Sequence, residues 1–208
     1  AGDRLDEFEM RLQGKSYLEI MAAGGGIAAT LQATRAASFE ELLAQTRERA
    51  HNAFAHGTTT LEAKTGYGLD IETELRQLEV ILKLDEEGPL ELIPTYLGAH
   101  AIPPEFAGNA EGYTNFLCSE ALPAVQAWWQ EHAPARSLPF VAVFCEEGVF
   151  DLAQPRRILL RAQELGFQLK LHADEFANLG GAGLAAELGA TSADHLVKTS
   201  AEDIQKLA

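Results

Sequence analysis

Apolar positions along the chain fall into two alternating periods. In Phe167-Gln168-Leu169-Lys170-Leu171 apolar and polar residues alternate, the period of a strand. Phe140 to Cys145 is a continuous apolar run, and Leu90 to Leu97 is nearly one, as in strands covered on both faces. Thr58 to Glu62 is short and β-branched, and the run that ends at His195 reads as a weaker strand. Between these stretches the period is helical. Leu75, Leu78, Ile81, Leu82 and Leu84 mark one face of a helix from Ile71 to Glu87. Leu42, Leu43, Ala50 and Phe54 mark another, opened by the capping box Ser38-Phe39-Glu40-Glu41 and closed at Gly57. Further helices are expected around Leu5, Phe8 and Leu12, from Ser16, over Tyr113–His132, Gln154–Leu165 and Gly180–Gly189, and from Ser200.

Strand and helix thus alternate five times, which calls for a parallel sheet covered by helices. Each strand–helix–strand unit returns the chain to the same rim, so the residues that follow successive strands converge. Those residues are polar at one strand after another: Lys64 and Tyr67, His100, Glu146, His172 and Glu175, then His195. Chemistry drawn from many strand ends favours a (β/α)8 TIM barrel over a doubly wound sheet, which gathers its site at one switch point. A whole barrel takes about 250 residues. The 208 residues here are therefore expected to form about five consecutive units of one domain, 1–208, incomplete at both ends.

Composition narrows the partners. The net charge is −15, from 16 basic and 31 acidic side chains, which argues against nucleic-acid binding. No run of about 18 apolar residues is present, so no membrane span is expected. The first residues, Ala-Gly-Asp-Arg-Leu-Asp-Glu, are charged and lack an apolar signal core. Cys118 and Cys145 form no CxxC pair, and a reducing, cytoplasmic setting fits best. Gly24-Gly25-Gly26 lacks the remainder of a phosphate loop and reads as a turn. Trp128 and Trp129 read as packing residues, and Asp174 and Asp194 as structural ones.

Two imidazoles, His172 and His195, each close a strand, and Glu175 stands three positions beyond the first. Imidazole nitrogen suits a borderline metal, and a nearby carboxylate suits proton transfer to and from water.

The motifs Gly14-Lys15-Ser16-Tyr17, Ala33-Thr34-Arg35-Ala36-Ala37-Ser38, Thr65-Gly66-Tyr67-Gly68-Leu69-Asp70, Leu97-Gly98-Ala99-His100, Lys170-Leu171-His172-Ala173-Asp174-Glu175-Phe176 and Ser192-Ala193-Asp194-His195-Leu196 occur in that order. As a set, together with Arg4, they make the chain resemble the imidazolonepropionases of the amidohydrolase superfamily. These enzymes hydrolyse the cyclic amide bond of 4-imidazolone-5-propanoate in histidine degradation. The resemblance implies one zinc or iron ion per site with His172 as a ligand, Glu175 and His195 as catalytic residues, and Arg4, Tyr17, Tyr67, His100 and Glu175 around a small-molecule substrate. It also implies that a His-x-His ligand pair precedes Ala1 and an Asp ligand follows Ala208. The chain is thus expected to be an interior piece, catalytically silent by itself and prone to self-association or homodimer formation. The alternatives are another metal-dependent cyclic amidohydrolase or deaminase, and a non-catalytic packing or dimerisation module.

Overall fold

The structure, a computed structural model, describes residues 4–15, 19–20 and 25–208. Tyr17 and the beginning of the helix expected from Ser16 lie outside them. The elements run α1 (Leu5–Leu12), α2 (Ile27–Ala36), α3 (Phe39–Ala55), β1 (Thr60–Lys64), α4 (Ile71–Glu87) and β2 (Glu91–Ala99). They continue with α5 (Ala110–Phe116), a π turn (Leu117–Ala121), α6 (Leu122–His132), β3 (Phe140–Cys145) and α7 (Ala153–Glu164). The chain closes with β4 (Gln168–Ala173), α8 (Gly181–Glu187), β5 (Ser192–His195) and α9 (Ala201–Leu207). The five strands are parallel and hydrogen-bonded in chain order, β1 to β5. The fold is therefore α/β, a curled five-strand portion of a (β/α) barrel.

Several elements depart from the sequence reading; β2, for example, runs Glu91–Ala99 rather than Leu90–Leu97. β1 begins at Thr60 rather than Thr58, because the Thr58 amide still bonds the Ala53 carbonyl at 3.1 Å and belongs to the end of α3. The helix expected from Tyr113 starts at Ala110, where the Asn109 side chain caps it by accepting from the Gly112 amide at 2.9 Å. It widens into the π turn just before Pro123, whose ring cannot share an ordinary helical turn with the preceding carbonyls. Helix α2 has no clear periodic signal in the sequence, since only Leu31 and Thr34 of its Ala- and Thr-rich run are buried.

The strict alternation on β4 sorts the two faces of the sheet. Leu169, Leu171 and Ala173 are buried in one apolar cluster with Val141, Val143 and Cys145 of β3. Ile158, Leu159 and Ala162 of α7 and Leu184 and Ala185 of α8 complete it. Each fully buried leucine or isoleucine there contributes about 1.5–3 kcal/mol. The opposite face is polar. In register, His172 pairs with Phe144 and Asp194, Lys170 with Ala142 and Ser192, and Lys64 with Thr95.

Glu62 of β1 ties this inner face together. One carboxylate oxygen accepts from Thr95 Oγ1 of β2 at 2.6 Å and from Lys170 Nζ of β4 at 2.8 Å. The other accepts from Lys64 Nζ at 2.6 Å. In a flat sheet β1 and β4 would stand about 14 Å apart, three strand spacings. That Glu62 and Lys170 meet directly is the consequence of the curl. Lys170 also lies over the Phe140 ring, 4.4 Å from its centroid.

Burial opposes the charged form of Glu62, yet the hydrogen bonds from Lys170, Lys64 and Thr95 hold its pKa down at about 2. A depressed carboxyl pKa contributes stability that is complete above the unfolded value and lost as pH falls through the folded one. Glu62→Gln should therefore lower unfolding free energy by about 1–3 kcal/mol at neutral pH, toward the lower end because a quarter of the side chain remains accessible (25%). Urea denaturation of both proteins across the acid range checks this. The difference should persist down to the ordinary carboxyl pKa of 4.5 and shrink as pH approaches 2. A difference that does not change with pH would show that the carboxylate's charge is not what stabilises.

Candidate active site

The carboxyl ends of the strands carry a row of rings. Tyr67, in the loop after β1, meets His100, just past β2, edge-on with centroids 5.2 Å apart. His100 lies 6.5 Å from His172 on β4, with Phe144 of β3 against both at 6.2 and 6.3 Å. His172 and His195 are 5.1 Å apart, and His195 Nε2 stands 3.4 Å from His172 Nδ1. Glu175 completes the row, its Oε2 also 3.4 Å from His195 Nε2. The structure thus brings together Tyr67, His100, His172, Glu175 and His195.

Their surroundings set their protonation. Burial is the main cause that pushes His172 down to about 4, assisted by the Lys64 charge, with Asp194 pulling the other way. At neutral pH this imidazole is uncharged and offers a lone pair. Its Nε2 is buried with no hydrogen-bond partner among the described residues. The nearest carboxylate oxygen, Asp194 Oδ2, is 3.5 Å away and is drawn also toward Lys64 Nζ at 3.6 Å. Burial likewise lowers the His100 pKa, opposed by its hydrogen bond to the Gly66 carbonyl. His100 Nδ1 donates to that carbonyl at 2.9 Å, which leaves Nε2 as the acceptor.

Arg4, a substrate-binding candidate by resemblance, is engaged within the chain. Its Nε and one terminal nitrogen donate to Thr30 Oγ1 at 3.1 and 2.9 Å, and Nε lies 3.7 Å from Glu7 Oε1. Its charge still acts on His100, whose pKa it helps to lower.

The loops that present the row are fastened by buried carboxylates. Glu74 is 1% exposed and accepts from the amides of Gly66, Gly68 and Leu69 at 2.7–2.9 Å, folding the loop that carries Tyr67 around itself. Arg35 grips the same loop from outside, donating to the Gly68 carbonyl at 2.7 Å and pairing with Asp70 at 3.0 Å. Gly66 sits at φ +98°, and a Cβ there would lie 2.7 Å from the Leu97 carbonyl oxygen, so only glycine fits. Asp174 is fully buried and accepts from Thr199 Oγ1 at 3.1 Å and from three amides of residues 179–182 at 3.3–3.4 Å. This is the structural role read for it from sequence. Leu69, Asp174, His195 and Leu196 all have positive φ, between 54° and 73°. Such strain in non-glycine residues is uncommon, and here it gathers in the loops after β1 and β4 and at the end of β5.

Glu74, Phe144 and the Glu62–Lys170 pair escaped the sequence reading. Glu74 left one trace, an acid in the first turn of a helix behind a glycine-rich loop. Among the described residues, no group of three or more His, Cys, Asp or Glu side chains is arranged to hold a metal ion. None of the described helices is long and apolar enough to cross a membrane. A groove of about 350 Å³, lined in part by Leu42, Leu61, Ala63, Val80 and Leu92, opens beside β1 and reaches Tyr67 of the row.

Glu74→Gln replaces an acceptor-only group with an amide that turns a donor toward backbone donors. Amide exchange at Gly66, Gly68 and Leu69 should quicken at least tenfold, with a stability loss of about 1–3 kcal/mol. Hydrogen–deuterium exchange with mass detection checks this, and unchanged protection would mean the loop is held without the Glu74 carboxylate, by Arg35 and His100.

The chain is 55% identical over 208 residues to an imidazolonepropionase of Herpetosiphon aurantiacus, matching 100% of this chain and 49% of that protein. It is 50% identical over 210 residues to the imidazolonepropionase of Chloroflexus aggregans, again the whole chain against 49%. Identity to that of Syntrophobacter fumaroxidans is 49% over 208 residues, the whole chain against 47%. The chain spans about half the length of these curated relatives. No protein-family profile matches it.

Proposed function

We propose that this chain, similar over its whole length to imidazolonepropionases, supplies the proton-transfer and ring-binding side of a site that hydrolyses the cyclic amide bond of imidazolone propionate in histidine degradation. The observation that carries the reading is the meeting of Glu175, His195 and His172 at one rim, with His195 Nε2 3.4 Å from both neighbours.

The residues present suit a metal in one respect. His172 keeps a buried Nε2, unpartnered among the described residues, on a ring that stays neutral, which is what a metal-ligating imidazole requires. His172 is the ligand we assign to the zinc or iron of such enzymes. When bound, the metal supplies activated water and polarises the carbonyl. Glu175 takes a proton from water and returns it to the departing ring nitrogen. His195 donates to oxygen as charge develops there. Tyr67 and His100 wall the planar ring, with His100 Nε2 as acceptor. Arg4, released from Thr30, offers a planar fork to the propionate carboxylate. Tyr17 belongs to the same substrate group by resemblance and lies outside the described residues. A cytoplasmic setting and a homodimer complete the reading.

Two outcomes test it in a form of the protein that turns over imidazolone propionate. Glu175→Gln should lower kcat by about two to four orders of magnitude and leave metal content unchanged. Arg4→Met should mainly raise KM, by the equivalent of about 1.5–3 kcal/mol. Near-normal turnover in the first, or an unchanged KM in the second, would remove that residue from its role. The 208-residue chain itself should lose added zinc on dialysis, because a catalytic zinc site takes three protein ligands. One retained zinc per chain by elemental analysis would show that further ligands lie within it.

A further inference from the structure

The loop that carries Glu175 is fastened from a neighbouring strand. Glu146 follows β3 directly and is 2% exposed. Its Oε2 accepts from the Phe176 amide at 2.9 Å, and its Oε1 accepts from the amides of Ala177 at 3.0 Å and Glu147 at 3.0 Å. The backbone of Glu146 is itself fixed by a short bridge, its amide donating to the Phe150 carbonyl at 3.2 Å. One carboxylate therefore pins the two peptides that immediately follow Glu175. The Glu175 side chain is 27% accessible and, among the described residues, its carboxylate meets His195 at 3.4 Å, so its direction depends on where its own backbone is held.

We propose that Glu146 is a positioning residue for Glu175: it holds the loop after β4 so that the Glu175 carboxylate faces His195 and the water to be deprotonated. This rests on the role assigned to Glu175 above. A carboxylate suits the task because it is acceptor-only and its two oxygens match amides on both sides. Gln in its place keeps one acceptor and turns a donor toward an amide, so the loop loses a tether without losing volume.

The test is a double-mutant cycle on kcat in a form of the protein that hydrolyses imidazolone propionate. Glu146→Gln should lower kcat by about 10- to 100-fold, the effect of a displacement of about 1 Å, with KM changed less than threefold and metal content unchanged. In a Glu175→Gln background the same substitution should have little further effect, because it acts through a group already removed. Hydrogen–deuterium exchange on the 208-residue chain should show faster exchange at Phe176 and Ala177 and none at α4. Glu146→Asp, which withdraws both oxygens by one methylene, runs the same cycle if Glu146→Gln is recovered unfolded. Losses that multiply in the double variant overturn the proposal, as does failure of both variants to fold, which would make Glu146 a residue of the whole fold. Near-normal turnover of Glu175→Gln alone would instead overturn the function proposed for the site, so the two failures are separable.

Discussion

The Glu62 carboxylate is the point on which the inner face depends. Two ammonium groups and a hydroxyl converge on it from three strands, Lys64 on its own strand, Thr95 on β2 and Lys170 on β4. These groups are only partly accessible, 12% for Lys170 and 28% for Lys64, so none is solvated as it would be in the unfolded chain. Such charges are tolerated because they are mutually paired and hydrogen-bonded. The pairing exists only if the sheet curls, and so it discriminates the curled sheet from flatter packings of the same strands. The apolar outer face supplies most of the stabilisation, and the polar inner face specifies the shape.

From that curl the rim follows. Asp194, next in the line of charges after Lys64, stands beside His172, and His172 stands beside His195. The imidazoles are held in a fixed row above an ionic floor, and burial keeps His172 neutral. Around the row the loops obey one rule: a buried carboxylate collects the backbone amides of a glycine-rich or tight turn. Glu74 does so for the loop after β1, and Glu146 and Asp174 both do so for the loop after β4. In each case the loop so gathered presents or adjoins a residue of the row, Tyr67 in the first and Glu175 and His172 in the others. At Leu69 and Asp174 these bonds hold backbone of positive φ in place.

Much of this was legible in the sequence because it depends on local period. Alternation at Phe167–Leu171, the apolar run Phe140–Cys145 and the capping box at Ser38 each declared an element, and the parallel order of those elements made the rim convergent. The histidines and Glu175 were legible because they end those strands. What was not legible depends on distance in the chain. Glu62 and Lys170 are 108 positions apart, and nothing in either neighbourhood names the other. Glu74 and Glu146 resemble ordinary helix-start and strand-end acids until the amides around them are seen. The start of β1 was misplaced by two residues because Thr58, a good strand former, is claimed by the end of the preceding helix.

The central claim is that a direct pairing between Glu62 and Lys170 holds the curl that aligns the rim. A thermodynamic double-mutant cycle on unfolding, with Glu62→Gln, Lys170→Met and the pair together, measures that interaction and cancels the separate loss of the Lys170–Phe140 contact. The account predicts a coupling free energy of about 1 kcal/mol or more at neutral pH. A coupling indistinguishable from zero would mean that the sheet is curled by its outer packing alone, and would contradict it.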